Sequence, residues 1–168
     1  MNYKSKLKDI KSFVFDVDGV FTNSQVILEP NGDLLRAMNT RDGFAIKAAL
    51  DQGFTCCIIS GGRSQAVRSR LLDLGVKDIY LGVSNKLEVL EEYLEDEKLS
   101  AENCAYMGDD IPDYYVMKHC GLACAPKDAC QEILDIAHYV SPYLGGHGCV
   151  RDLIEQTLKV QGKWFKPV

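Results

Sequence analysis

Short apolar runs alternate along the chain with segments whose apolar residues recur every three or four positions, which predicts strands and helices in turn. Ser12-Phe-Val-Phe-Asp16 is β-rich, apolar on both faces and abruptly polar at Asp16-Val-Asp18-Gly19, the pattern of a buried parallel strand. Two extended runs, Gln25–Leu28 and Leu34–Met38, flank the turn signal Pro30-Asn-Gly-Asp33 and predict a hairpin over about residues 24–39. Asp42 is a good N-cap for an amphipathic helix that Gly53 ends. The cycle then repeats: strand Thr55–Ile59, helix Ser64–Leu74 closed by Gly75, strand Asp78–Leu81, helix Lys86–Lys98, strand Ala105–Met107, helix Asp113–His119, strand Gly121–Ala125 and helix Asp128–Ala137. Leu87, Leu90 and Leu94 are spaced for a core, while Glu91, Glu92, Glu95, Asp96 and Glu97 read as a solvated face. A last helix, Val150–Lys159, follows the loop Gly145-Gly-His-Gly148 and leaves a tail over 161–168.

Strands alternating with helices, each connection long enough for a crossover, predict an α/β fold. Its form is a Rossmann-like three-layer sandwich with a mainly parallel sheet. The 168 residues suit one domain, 1–168. Nineteen basic against 24 acidic side chains leave a net charge of -5, a field that repels phosphate backbones and disfavours nucleic acid as a partner. A small anionic substrate is still compatible, because a local site can oppose the global sign. The lysine-rich start lacks the apolar middle of a signal peptide, and no window reaches the length of a membrane helix, so a cytoplasmic protein without a membrane partner is expected. Seven cysteines form no Cys-x-x-Cys pair and lie mainly in apolar runs, so they read as small buried hydrophobes in a reducing compartment. Cys56 and Cys57 should point to opposite faces of one strand.

Polar signals fall at successive strand ends: Asp16 and Asp18, then Ser60 with Gly61 and Gly62, then Lys86, then Asp109, Asp110 and Asp113. Ligands of open parallel sheets bind beyond those ends. Taken singly, such acids cap helices and solubilise loops. Together they repel each other unless a cation is present, and an all-oxygen cluster suits magnesium. The chemistry that needs this arrangement is phosphoryl transfer, where a dianionic ester must be neutralised before a carboxylate can attack it. A divalent ion and one lysine supply that charge, backbone N–H groups and the hydroxyl of Ser60-Gly61-Gly62 can hold phosphoryl oxygens, and a carboxylate on the Asp18-Gly19 turn can serve as general acid and base.

Asp16-Val-Asp18-Gly19, Ser60, Lys86 and Gly108-Asp109-Asp110-x-x-Asp113 resemble, in order, the four motifs of the haloacid dehalogenase superfamily of phosphatases. The resemblance implies Asp16 as nucleophile and Asp18 as general acid and base. It implies Ser60 and Lys86 as phosphate binders, beside the Gly61 N–H read from the turn itself. Magnesium would be held by Asp16, the Asp18 main-chain carbonyl and Asp109, with Asp110 and Asp113 as supporting carboxylates that bind through water or hold Lys86.

Both intervals in which larger members insert a cap are filled by the assigned hairpin, strands and helices, so no cap domain is expected. The chain resembles the capless tetrameric branch through Asp16-Val-Asp-Gly-Val-Phe-Thr22, Asn39-Thr-Arg-Asp-Gly43, Arg68-Ser-Arg70, Gly108-Asp-Asp-Ile-Pro-Asp113 and Gly145-Gly-His-Gly-Cys-Val-Arg151. That branch implies a keto-sugar acid phosphate as substrate, namely 3-deoxy-D-manno-octulosonate 8-phosphate of lipopolysaccharide synthesis, with nine-carbon keto-acid 9-phosphates as the alternative. A non-catalytic oligomerisation module is the alternative of another class. The branch also implies a homotetramer whose hairpins form a central barrel and whose neighbouring subunits close each site. Arg70 would bind the sugar-acid carboxylate of a neighbour's substrate, or is a plain helix charge. Ser60-Gly61-Gly62 stands where Thr-Gly-Arg is usual, so that arginine's contact is absent or supplied elsewhere, with Arg63 as a candidate, and His147 replaces another arginine. Arg41 favours the eight-carbon acid. His119 and His138 read as ordinary helix or strand-edge residues. Trp164 and Phe165 are apolar enough to dock, either on their own chain or, the preferred reading, on a neighbouring subunit.

Overall fold

The computed structural model describes residues 2–165. A short helix α1 (Tyr3–Lys6) precedes strand β1 (Ser12–Phe15), and the hairpin strands β2 (Ile27–Leu28) and β3 (Leu34–Leu35) follow it. The chain continues as α2 (Thr40–Asp51), β4 (Thr55–Ser60), α3 (Gln65–Asp73), β5 (Asp78–Leu81), α4 (Lys86–Asp96), β6 (Cys104–Met107), α5 (Tyr114–His119), β7 (Leu122–Ala125), α6 (Gln131–Ile136), β8 (Tyr139–Val140) and α7 (Cys149–Val160). The main sheet has the order β5-β4-β1-β6-β7-β8 and all its pairs are parallel, while β2 and β3 form a separate antiparallel pair.

The pleat of β1 builds the layers. Phe13 and Phe15 point into one core with Ile46 of α2, Leu71 of α3 and Leu153 of α7, whereas Val14 points into the other with Leu90 of α4, Met117 of α5 and Ile133 of α6. Each such side chain, fully buried, contributes roughly 1.5–3 kcal/mol. Cys56 and Cys57 divide between the same two cores, as the strand period requires. All seven cysteines are free, and all but Cys130 are buried. Among the described residues, no helix is long and apolar enough to cross a membrane.

Several boundaries differ from those read along the chain. Helix α2 is capped by Asn39, whose side chain accepts from the Arg41 N–H at 2.8 Å. Asp42 therefore lies inside the first turn, fully buried, where it accepts from the Arg151 N–H at 2.8 Å and ties α7 to α2. Burial pushes its carboxyl up to about 6. Helix α6 begins at Gln131 because Asp128 is engaged by the Gly145 N–H at 2.8 Å. Tyr139-Val140, a pair too short to announce itself, joins β7 as the edge strand β8. Trp164 packs edge-on to Phe44 and beside the Arg151 guanidinium of its own chain, and Phe165 is exposed.

Candidate active site

Strand β1 sits where the strand order reverses direction, with β4 on one side and β6 on the other, so the polar residues after β1, β4, β5 and β6 converge at one edge of the sheet. Asp16 continues the β1 ladder, its N–H donating to the Met107 carbonyl at 3.1 Å, and its Oδ1 accepts from the Val17 N–H at 2.7 Å. Gly19, at φ +87°, lets the loop after β1 lie directly on Asp109, since a Cβ there would overlap that carboxylate. Gly108 gives the same room to Asp113.

Lys86 opens α4, whose N-cap is Asn85, and this start aims the side chain inward. Its ammonium stands 3.0 Å from Asp16 Oδ2 and 2.7 Å from Asp113 Oδ1. Asp113 is fully buried and fully engaged, accepting in addition from Tyr106 OH at 2.7 Å and the Asp109 N–H at 3.1 Å. Oxygens of Asp16, Asp109 and Asp113 lie within 4.8 Å of one another.

One ammonium thus faces three carboxylates. Burial, then repulsion by Asp113, pushes Asp16 up to about 7 against the pull of Lys86. Burial, then repulsion by Asp16 and Asp113, pushes Asp109 up to about 8. Lys86 is held above its usual range: burial opposes this, but Asp16 and Asp113 outweigh it. A crowded oxygen set this short of positive charge fits a hard divalent cation, which would displace the retained protons. Asp113 is already engaged by Lys86, Tyr106 and the Asp109 N–H, whereas Asp16 and Asp109 face the cleft.

That cleft, about 520 Å³, is lined by Asp16, Asp18, Ser60, Gly61, Lys86 and Asp109, with Asp110 at its rim. Asp110 Oδ1 accepts from the Ile111 N–H at 2.8 Å and makes no bond to Lys86. Ser60 ends β4, buried, and its Oγ accepts from the Gly62 N–H at 3.1 Å. A larger groove of about 1140 Å³ lies at the opposite edge of the sheet, around Lys11, Thr55 and Gly121, and gathers no comparable carboxylate cluster.

Asp18 lines the same cleft but is not one of the three clustered carboxylates. Both its oxygens are held by Arg36 of the hairpin, from Nε at 2.6 Å and Nη2 at 3.1 Å. Arg36 carries no signal in the sequence beyond being a lone charge inside the apolar run Leu34–Met38. The other arginines lie apart from the cluster within one subunit. Arg63 packs over Gly82, Arg70 over Gly43 between α3 and α2, and Arg41 lines a separate groove with His147 and Arg151. His138 accepts from the Ala123 N–H at the sheet edge, and His119 is surface-exposed near Glu91.

Comparison with known proteins agrees with this geometry. The haloacid dehalogenase-like hydrolase family matches residues 74–151. The 3-deoxy-D-manno-octulosonate 8-phosphate phosphatase of Escherichia coli K12 is 38% identical over 159 residues, which cover 95% of this chain and 85% of the relative. The crystal structure of the phosphatase of that name from Yersinia pestis superposes with a TM-score of 0.94 at 34% identity, covering 96% of this chain and 88% of that one. A structure of the Moraxella catarrhalis enzyme in complex with magnesium, phosphate and a KDO molecule superposes with a TM-score of 0.93 at 32% identity, covering 96% and 94%. The chain belongs to the 3-deoxy-D-manno-octulosonate 8-phosphate phosphatase family of haloacid dehalogenase-like hydrolases.

Proposed function

We propose that the chain is a magnesium-dependent phosphatase that hydrolyses 3-deoxy-D-manno-octulosonate 8-phosphate to the free keto-sugar acid and phosphate, a step of lipopolysaccharide sugar synthesis in the cytoplasm. The observation that carries this reading is the Asp16 carboxylate at the mouth of the cleft, 3.0 Å from the Lys86 ammonium and beside Asp109. Asp16, the Asp18 main-chain carbonyl and Asp109 would hold magnesium, which neutralises phosphoryl charge when bound. Ser60 Oγ, the Gly61 N–H and Lys86 hold the phosphoryl oxygens. An Asp16 oxygen attacks phosphorus, the bond from phosphorus to the sugar oxygen breaks, and Asp18 gives that oxygen its proton. Asp18 then takes a proton from water, which attacks phosphorus, releases phosphate and returns Asp16 to a free carboxylate. Asp113 fixes Lys86 and the Asp109 backbone. Arg41, Arg63 and Arg70 are assigned to the sugar acid, with Arg70 serving a neighbour's substrate.

A phosphate-release screen over eight- and nine-carbon keto-acid phosphates and hexose phosphates tests this. The eight-carbon ester should give the highest kcat/KM, and a chelator should abolish its turnover until magnesium is restored. Preference for a nine-carbon ester would reassign the substrate, and release from none of them would leave only a non-catalytic module.

A homotetramer is supported by the hairpin, where Ile27 and Leu28 are 67% and 73% exposed and Leu34 and Leu35 both 44%. An apolar patch of this kind, on a chain with no cap, calls for a second copy. Sedimentation equilibrium should find four subunits and a smaller species for Leu28→Asp; a monomeric wild type would contradict the assembly.

A further inference from the structure

The side chain of Arg36 is only 8% exposed, yet it reaches Asp18 beside the cleft from a hairpin that is otherwise open to solvent. It grips Asp18 at both oxygens, donates once to the Leu34 carbonyl at 2.9 Å, and stands 3.7 Å from where a side chain on Gly62 would begin. Three of its five N–H groups are therefore engaged by described residues, and of the two left the one on Nη2 lies beside the turn that carries Ser60 and Gly61. A carboxylate held at both oxygens by one guanidinium is turned toward that fork, and the inner lone pairs where a general acid's proton would sit are taken. Asp18 cannot perform the role proposed above while this ion pair is complete.

We infer that Arg36 is a phosphate-binding residue that also latches the general acid: in the resting subunit it holds Asp18, and on substrate arrival it passes to a phosphoryl oxygen and frees Asp18 to face the bridging oxygen. This inference rests on the phosphatase reading. The exchange is chemically matched, since a guanidinium fork binds a phosphoryl group as well as it binds a carboxylate. Gly62 has its place in it. The lack of a side chain there leaves the space between Ser60 and Asp18 to a guanidinium supplied by the hairpin. Arg36 thereby provides a cation that the Ser60-Gly61-Gly62 turn itself does not carry.

The test compares wild type, Arg36→Ala and Arg36→Lys in the magnesium-loaded protein. Inorganic phosphate binding is read by calorimetry, and steady-state kinetics use the eight-carbon ester and p-nitrophenyl phosphate, whose phenolate leaves without a proton. Arg36→Ala should weaken phosphate binding by about ten- to a hundredfold, the worth of a charge-assisted hydrogen bond, and raise KM for both esters by a like factor. Most of its loss on p-nitrophenyl phosphate should fall on KM rather than on kcat, since the affected group is a binder and not the nucleophile. Arg36→Lys, which keeps the charge but loses the fork, should fall between. Unchanged phosphate affinity would overturn the inference. So would an equal fall of kcat on both esters together with a lowered unfolding temperature, which marks a structural brace. A wild type that turns over neither ester would sink the phosphatase reading and this inference with it, whereas a working wild type whose variants match it sinks the inference alone.

Discussion

Asp16→Asn is expected to lower kcat by about 10⁴-fold or more, the scale on which removing a covalent nucleophile acts. The loss should fall on kcat and leave substrate affinity largely intact, because Ser60, Gly61 and Lys86 remain to hold the phosphoryl group. The fold should survive. Asparagine has the shape of aspartate and removes one charge from a buried cluster in which a single ammonium faces three carboxylates. The pH dependence has a definite sign. With its folded value raised to about 7, Asp16 binds protons more tightly in the folded than in the unfolded chain, so the stabilisation it gives is present at low pH and lost as pH rises toward and through 7. The asparagine variant lacks that loss. In magnesium-free buffer its urea midpoint should therefore gain on that of the wild type between pH 5 and pH 8, and a steady disadvantage across that range would show that the ion pair with Lys86 outweighs the crowding.

Lys86→Ala should damage both activity and stability. Among the described residues the ammonium is the one positive charge paired with the buried Asp113, and removing one member of a buried, hydrogen-bonded ion pair costs about 3–5 kcal/mol. Against a total stability of about 5–15 kcal/mol that is a large fraction, so urea unfolding should shift strongly to lower concentration. Magnesium, able to face the same carboxylates, should recover part of the loss. Turnover should fall by at least about 100-fold even with the ion present, because a phosphoryl oxygen loses a charged donor and Asp113 loses the group it positions. Lys86→Met, which keeps the apolar stem, separates packing from charge. If it matched the wild type in stability, the buried ion pair would have no net role in the fold.

How much of this was legible along the chain depended on how local the cause was. Strands β1, β4 and β6 are buried on both faces, so each reads as an apolar run that stops at a polar residue, and the stops are Asp16, Ser60 and the Gly108-Asp109 pair. Parallel topology then brings those stops together, which is why the convergence of Asp16, Lys86, Asp109 and Asp113 could be anticipated. What stayed hidden depends on distant partners. Asn39 and Asp42 are both good caps by residue type, and the choice is made by Arg151, 109 positions further on, whose N–H takes the Asp42 carboxylate into the core. The pairing of Arg36 with Asp18 needs the hairpin to fold back over the cleft, and nothing within Leu34–Met38 encodes that direction. The arginines assigned by resemblance, Arg41, Arg63 and Arg70, lie on helix α2, on the turn before α3 and on α3, and none reaches the carboxylate cluster of its own subunit.

The most direct test of the phosphoryl-aspartate chemistry is a single turnover of ³²P-labelled p-nitrophenyl phosphate, whose phenolate leaves without a proton, on the magnesium-loaded Asp18→Asn protein, quenched in acid and mapped by peptide. Without its general base the second half-reaction slows, so label should accumulate on the peptide containing Asp16, stable in acid and released by alkali. Label on any other residue, or release of phosphate from the wild type with no labelled protein at any time after mixing, would contradict the account.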